Sequence, residues 1–176
     1  MDGPAAPDDV EIRRIAAGDG PILKQVRLRS LLVDPASFGS THEREASQRD
    51  AEWSERAARL AHGDDGTQLL ALDATGPVGT IVAMRDDDEP ALFRIYAMWV
   101  APERRGSGLG ARLLAGAEEW IARAGGSAVE LSVTNAAPVA ARLYARAGYE
   151  RTGRELPSEH TPGLLEHILR KQLPGR

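Results

Sequence analysis

Residues 99–111 read Trp-Val-Ala-Pro-Glu-Arg-Arg-Gly-Ser-Gly-Leu-Gly-Ala. Gly106, Gly108 and Gly110 alternate behind Arg104 and Arg105, and a helix-forming run follows directly. A glycine-rich turn between a strand and a helix is a recurrent anion site, because free backbone N–H groups and the positive end of the helix dipole converge there. The chemistry implied is recognition of a phosphate or pyrophosphate, with the two arginines adding positive charge. The plainer alternative is a loop whose glycines only permit a turn; two arginines and an immediate helix weigh against it. Further on, Glu130 lies in a β-prone run, Asn135 follows that run, and Tyr144 stands in Arg-Leu-Tyr-Ala-Arg. His42, His62, His160 and His167 show no metal-ligand spacing, so no metal is expected. Cysteine is absent, which excludes disulfides, thiolate nucleophiles and Cys-ligated zinc.

Two familiar phosphate loops fit less well. Gly106, Gly108 and Ala111 satisfy the dinucleotide pattern G-x-G-x-x-[GA], and Glu130 follows at about the spacing of a ribose-binding acid. Yet Pro102 to Arg105 separate Val100 from the first glycine, and Glu130 opens its strand where the ribose acid closes one. A Walker loop needs Gly-Lys followed by Ser or Thr, which is missing. A nicotinamide-dinucleotide site remains the alternative.

These residues need a scaffold. A chain of 176 residues is long enough for one domain with a full core. Its 42% apolar and 27% charged residues are ordinary for a soluble globular protein. The net charge of -4 argues against a nucleic-acid partner. The amino terminus lacks the basic and apolar regions of a signal peptide, and no apolar run approaches membrane-spanning length. A cytoplasmic location without a membrane partner is expected. Residues 1–8, rich in Pro, Ala and Asp, read as a disordered tail, and 9–176 as a single domain.

The hydrophobic period divides that domain. Val10 to Ile15 alternate as a strand, and Pro21–Leu32 repeat at helical spacing until Asp34-Pro35. A polar loop leads to a second helix carrying Trp53, Ala57 and Leu60. Three strands follow over 67–73, 78–84 and 91–100, joined by Ala-Thr-Gly-Pro and Arg-Asp-Asp-Asp-Glu-Pro turns. Leu109–Ala124 is the clearest helix, with Gly125-Gly126 behind it. A strand over 129–134, a helix over 138–147, a short strand over 149–152 and a last strand over 164–173 complete the order β-α-α-β-β-β-α-β-α-β-β. That is an α+β fold, a mixed sheet with helices on both faces.

Val100-x-Pro102-x-x-Arg105-Gly106-x-Gly108-x-Gly110 resembles the acetyl-CoA-binding motif of the Gcn5-related N-acetyltransferases (GNAT family). Downstream, Val-Glu-Leu-Ser-Val-Thr-Asn-Ala-Ala-Pro-Val-Ala-Ala-Arg-Leu-Tyr-Ala-Arg-Ala-Gly-Tyr-Glu looks like that family's strand, Asn, helix, Leu-Tyr and Gly-aromatic signature. The likeness fits the element order from about Val10 to Leu173 and implies a mostly antiparallel, twisted sheet of seven strands. It implies acetyl-CoA as cosubstrate, held by Arg104, Arg105, Gly106, Ser107, Gly108, Leu109 and Gly110 at the pyrophosphate. Met98 and Val100 would pair with the pantetheine arm between two splayed strands, and Asn135 would contact the same arm. The resemblance makes Tyr144 the proton donor to the leaving thiolate. Glu130 is a candidate base, though a solvent-facing strand residue is the plainer reading.

The acceptor implied is a small-molecule primary amine, met by Phe38, Gly39 and Glu43 in the segment between the first two helices, with Glu45 a further candidate base. Without cysteine, direct transfer in a ternary complex is expected. The alternatives are a protein or peptide acceptor and a non-catalytic acyl-CoA sensor. The acidic turn Asp86-Asp87-Asp88-Glu89 offers a landing point for a cationic amine, although a solvated hairpin tip is the plainer reading. The same resemblance implies a homodimer as the expected partner state.

Overall fold

The computed structural model describes residues 9–158 and 162–174. The tail expected over residues 1–8 lies outside the described residues. In chain order the elements are β1 (Glu11–Arg14), α1 (Gly20–Val33), α2 (His42–Ala46), α3 (Asp50–Ala61), β2 (Gly66–Asp73), β3 (Gly76–Arg85), β4 (Leu92–Val100), α4 (Leu109–Arg123), β5 (Ala128–Thr134), α5 (Pro138–Arg146), β6 (Glu150–Pro157) and β7 (Leu165–Gln172). The strands form one sheet in the order β1-β2-β3-β4-β5-β7-β6. All neighbours are antiparallel except β4 and β5. The fold is therefore the mixed, mostly antiparallel α+β sheet that the sequence implies.

Two elements depart from the periodicity. The short helix α2 sits inside the polar segment, started by Thr41, whose hydroxyl accepts from the Arg44 N–H at 3.2 Å. β6 runs to Pro157 rather than stopping near Thr152, and every residue of it is exposed. An edge strand with neither face buried has no apolar alternation to read.

Burial explains the rest. α4 turns Leu109, Leu113, Leu114, Ala117, Trp120 and Ile121 inward, one stripe at helical spacing, and Trp120 meets Phe93 edge to face with ring centroids 5.8 Å apart. Residues 77–83 of β3 are all buried, the pattern of a strand covered on both faces. Among the described residues no helix is long and apolar enough to cross a membrane.

The feature that positions the site is where the sheet comes apart. β4 and β5 pair over three rungs only, Leu92 with Ala128, Phe93 with Val129 and Arg94 with Glu130. Beyond Glu130, β5 follows β7 as far as the Thr134–Glu166 rung, while β4 follows β3. β4 also carries one extra residue there: Thr80 faces Trp99, but Val82 faces Tyr96. Ala97 inside this bulge has φ 48°, a left-handed value unusual for a residue with a Cβ. A wedge opens between two strands that start as partners.

Candidate active site

The glycine loop leaves β4 through a single 3₁₀ turn, Pro102–Arg104, and reaches α4 at Leu109. Gly106 and Gly108 have φ of 76° and 85°, and a Cβ at either would meet nothing within 4 Å. The loop therefore needs glycine for its backbone shape, not for want of space at those two positions. The first backbone bond into α4 runs from the Arg112 N–H to the Gly108 carbonyl at 3.1 Å. The N–H groups from Gly106 to Ala111 thus have no backbone partner among the described residues, which is the donor array an oxyanion needs.

Both loop arginines already have protein partners. Arg104 forms an ion pair with Asp73, whose side chain is only 2% exposed, and reaches Asp9 at 3.1 Å. Burial pushes the Asp73 carboxyl up, but hydrogen bonds from Thr75 and Arg104 and the Arg104 charge hold it below the usual carboxylate range. Arg105 donates through Nε to the Val100 carbonyl at 3.0 Å and pairs with Asp34. Asp34 also accepts from Trp99 Nε1 at 2.7 Å. Arg104 therefore ties the loop to the end of β2, and Arg105, half exposed, ties it to the end of α1.

The wedge is part of a cavity of about 740 Å³. Ile95, Tyr96, Ala97 and Met98 line one wall and Leu131 to Thr134 the other. Tyr144 of α5 faces it, 8% exposed, with its hydroxyl 3.6 Å from Met98 Sδ. Burial pushes this phenol up to about 12, so it holds its proton at any ordinary pH. Gly110 matters by closeness: a Cβ there would lie 3.3 Å from Leu143 Cδ2 and 3.4 Å from Met98 Cε, pressing on the contact between α4, α5 and β4. The splayed strands, the N–H array and the buried phenol fit a ligand with a pyrophosphate, an extended arm and a reactive end.

Asn135 is exposed, and its N–H donates to the Leu165 carbonyl at 3.0 Å. The residue capping α5 is Ala137, not Asn135. Glu130 is 2% exposed, not solvent-facing, and three guanidiniums surround it: Arg154 at 3.0 Å, Arg170 at 3.4 Å and Arg94 at 3.5 Å. It holds the last β4–β5 rung and does not line the cavity.

Of the residues expected to meet an acceptor, Phe38 and Gly39 line the cavity. Glu43 is exposed and borders a shallower neighbouring cleft, while Glu45, two residues on, is buried. Arg27 Nε and a terminal nitrogen both donate to Glu45 Oε1, at 2.9 and 2.7 Å, and Arg56 lies 3.5 Å from Oε2. Burial pushes the Glu45 carboxyl up, but Arg27 and Arg56 more than offset this and hold it below the usual range. Arg27, Arg56, Arg59 and Glu166 all line the cavity, and none is marked by a motif. The acidic turn lies elsewhere: Asp86 pairs with Arg94 at 2.6 Å and caps its own turn, and Glu89 pairs with Arg170 at 2.8 Å. Among the described residues no three His, Asp or Glu side chains gather as a metal site.

Residues 26–149 match the model of the acetyltransferase (GNAT) family. A mycothiol acetyltransferase from Pseudarthrobacter chlorophenolicus is 32% identical over 153 residues, covering 84% of this chain and 44% of its own. The chain spans about half the length of the curated relatives it matches. A GNAT acetyltransferase structure from Streptococcus pneumoniae superposes with a TM-score of 0.79 at 19% identity, covering 94% of this chain and 99% of that one. A phosphinothricin acetyltransferase from Sinorhizobium meliloti, solved in complex with AcCoA, gives 0.75 at 21% identity over 94% and 89%.

Proposed function

Because the chain belongs to the GNAT acetyltransferase family, we propose that it transfers an acetyl group from acetyl-CoA directly to a small-molecule primary amine. The observation that carries this reading is that the N–H array at Gly106–Ala111 follows β4, one of the two splayed strands, with Gly110 packed beside Met98 of the cavity wall and the buried Tyr144 hydroxyl against the same Met98. Acetyl-CoA brings the pyrophosphate for the loop and a thioester whose carbonyl carbon is open to attack. Two solved neighbours of the same fold are described with this molecule, which supports the assignment.

The chain's own residues divide the work. Backbone N–H groups of the loop and the start of α4 hold the phosphates. Beyond Arg94, β4 has no β5 partner, so its free edge, including Met98, is available to an extended arm. The bulge at Ala97 turns backbone out of the ladder beside the same cavity, which supports an oxyanion donor there. The amine nitrogen bonds to the acetyl carbon, the carbon–sulfur bond breaks, and the ammonium proton leaves the nitrogen as the thiolate forms. Glu166, which accepts from the Ser158 hydroxyl at 3.1 Å, lines the cavity with no arginine beside it among the described residues and is suited to take that proton. Tyr144, near 12, lies about 3.5 above a thiol at its ordinary value, a gap of roughly 5 kcal/mol. Its role is therefore to donate a hydrogen bond to the developing thiolate rather than to lose its proton to it.

Calorimetric titration with acetyl-CoA, with NADH as control, tests the donor assignment. Saturable binding of acetyl-CoA alone is expected; binding of NADH in its place overturns it. Release of free CoA with a panel of amines then tests transfer.

A further inference from the structure

The acceptor half of the cavity carries more positive charge than its carboxylates balance. Arg27 of α1 and Arg56 and Arg59 of α3 all line it. Among the described residues Glu45 is the one carboxylate paired with them, and Arg27 engages it through two hydrogen bonds. Arg56 lies over the Trp53 ring, 5.7 Å from its centroid, and makes only the 3.5 Å ion pair with Glu45. Arg59 has no acidic partner among the described residues. Arg56 and Arg59 stand three residues apart on α3, on one face, and their charges oppose each other: burial and the charges of Arg27 and Arg59 pull the Arg56 guanidinium down while Glu45 pulls it up. Arg56 is partly buried and Arg59 exposed, so the two present guanidinium donors at the cavity wall that an anion entering from solvent would engage.

The opposite wall has the opposite sign. Among the described residues, only the Ser158 hydroxyl donates to the carboxylate of Glu166 of β7, which lines the cavity. The cavity is therefore cationic towards α1 and α3 and anionic towards β7. Resting on the acetyltransferase reading, we infer that the acceptor is a primary amine that also bears a carboxylate, of the free amino-acid class, with its carboxylate on Arg56 and Arg59. The Arg27–Glu45 pair is the support beneath them: with Glu45 engaged by Arg27, Arg56 keeps its N–H donors for the acceptor. This polarity disfavours a polyamine, and the acidic turn of Asp86 to Glu89 does not line the cavity.

The test pairs each common L-amino acid with its amide and measures CoA release at saturating acetyl-CoA. At least one acid should exceed its amide in kcat/KM by about tenfold or more, the worth of a charge-assisted hydrogen-bond pair. Arg56→Gln and Arg59→Gln should each reduce that ratio several-fold by raising KM for the acid. A second arm removes the chemistry: the N-acetyl amino acids and their amides are titrated into the CoA-bound protein, and the acids should bind more tightly by a similar factor. Equal or better use of the amides, with no preference in the binding arm, overturns the inference while leaving the acetyltransferase reading intact. Failure to acetylate any amine, with the acids still preferred in binding, overturns the transferase reading and supports the anion site.

Discussion

The glycine loop and the arginine-lined cavity are built on opposite plans. The loop is a backbone site: contiguous N–H groups from Gly106 to Ala111, shaped by left-handed glycines and braced from behind by Arg104 and Arg105. The cavity is a side-chain site, with Arg27 from α1, Arg56 and Arg59 from α3 and Glu166 from β7 lining it and Glu45 from α2 paired to Arg27 and Arg56. A backbone site depends on local conformation and tolerates changes in most side chains. A side-chain site depends on how separate elements pack and is sensitive to single charges. The two regions should therefore fail differently when altered.

The largest effect is expected at the cavity's support. Glu45→Ala leaves Arg27 buried without its carboxylate, and unfolding titrations should show a loss of about 3–5 kcal/mol. The pair also makes stability depend on acid. Glu45 has its folded value lowered, so its contribution is complete above the ordinary carboxylate range and fades as pH falls through the folded value. Repeating the titration at descending pH in the wild type and in Glu45→Gln checks this; an identical acid limb in both removes Glu45 from the account.

Tyr144→Phe comes next. The turnover rate should fall about a hundredfold, with acetyl-CoA affinity within about twofold, because the ring stays and the donor goes. An unchanged rate would take Tyr144 out of its role. The same variant reports on alkaline stability. A phenol raised from its ordinary value to about 12 contributes stability that is complete below about 10 and lost as pH rises towards about 12, up to roughly 2–3 kcal/mol. Wild type should lose stability faster than Tyr144→Phe across that window.

Gly108→Val strikes the loop itself. Forcing a β-branched residue to φ 85° costs about 1–3 kcal/mol, to be read by calorimetry as weaker acetyl-CoA binding by about tenfold or more. Binding of N-acetyl amino acids in the cavity should change far less, which sharpens the contrast between the two regions. Smallest is the acidic turn: Asp87→Asn with Asp88→Asn should move the acceptor KM by less than about twofold, since exposed charges away from the cavity contribute little. A large rise in KM would return that turn to substrate recruitment.

The sequence was informative wherever a site or element is local. Alternating apolar residues, the α4 stripe and the Gly-Gly stop mark elements whose burial pattern is set by neighbours along the chain. The glycine loop was legible for the same reason, since its conformation lies within a few residues. Spacing also separated this loop from Walker loops and left a dinucleotide loop as the alternative. Other features carried no local mark. Nothing in Leu-Phe-Arg-Ile-Tyr-Ala-Met-Trp-Val announces that Ala97 takes a left-handed conformation, because the extra residue exists only relative to β3. Glu130 read as a strand residue facing solvent and is buried among three arginines from β4, β6 and β7. Glu43 and Glu45 are equivalent in one dimension; the approach of α1 and α3 buries one and leaves the other exposed. The chain's order of residues thus determined the elements and the phosphate loop, where forces act over a turn or a strand. Tertiary packing alone decided the sign of the acceptor cavity, because charges from four separate elements share a field only once the fold has brought them within a few ångströms.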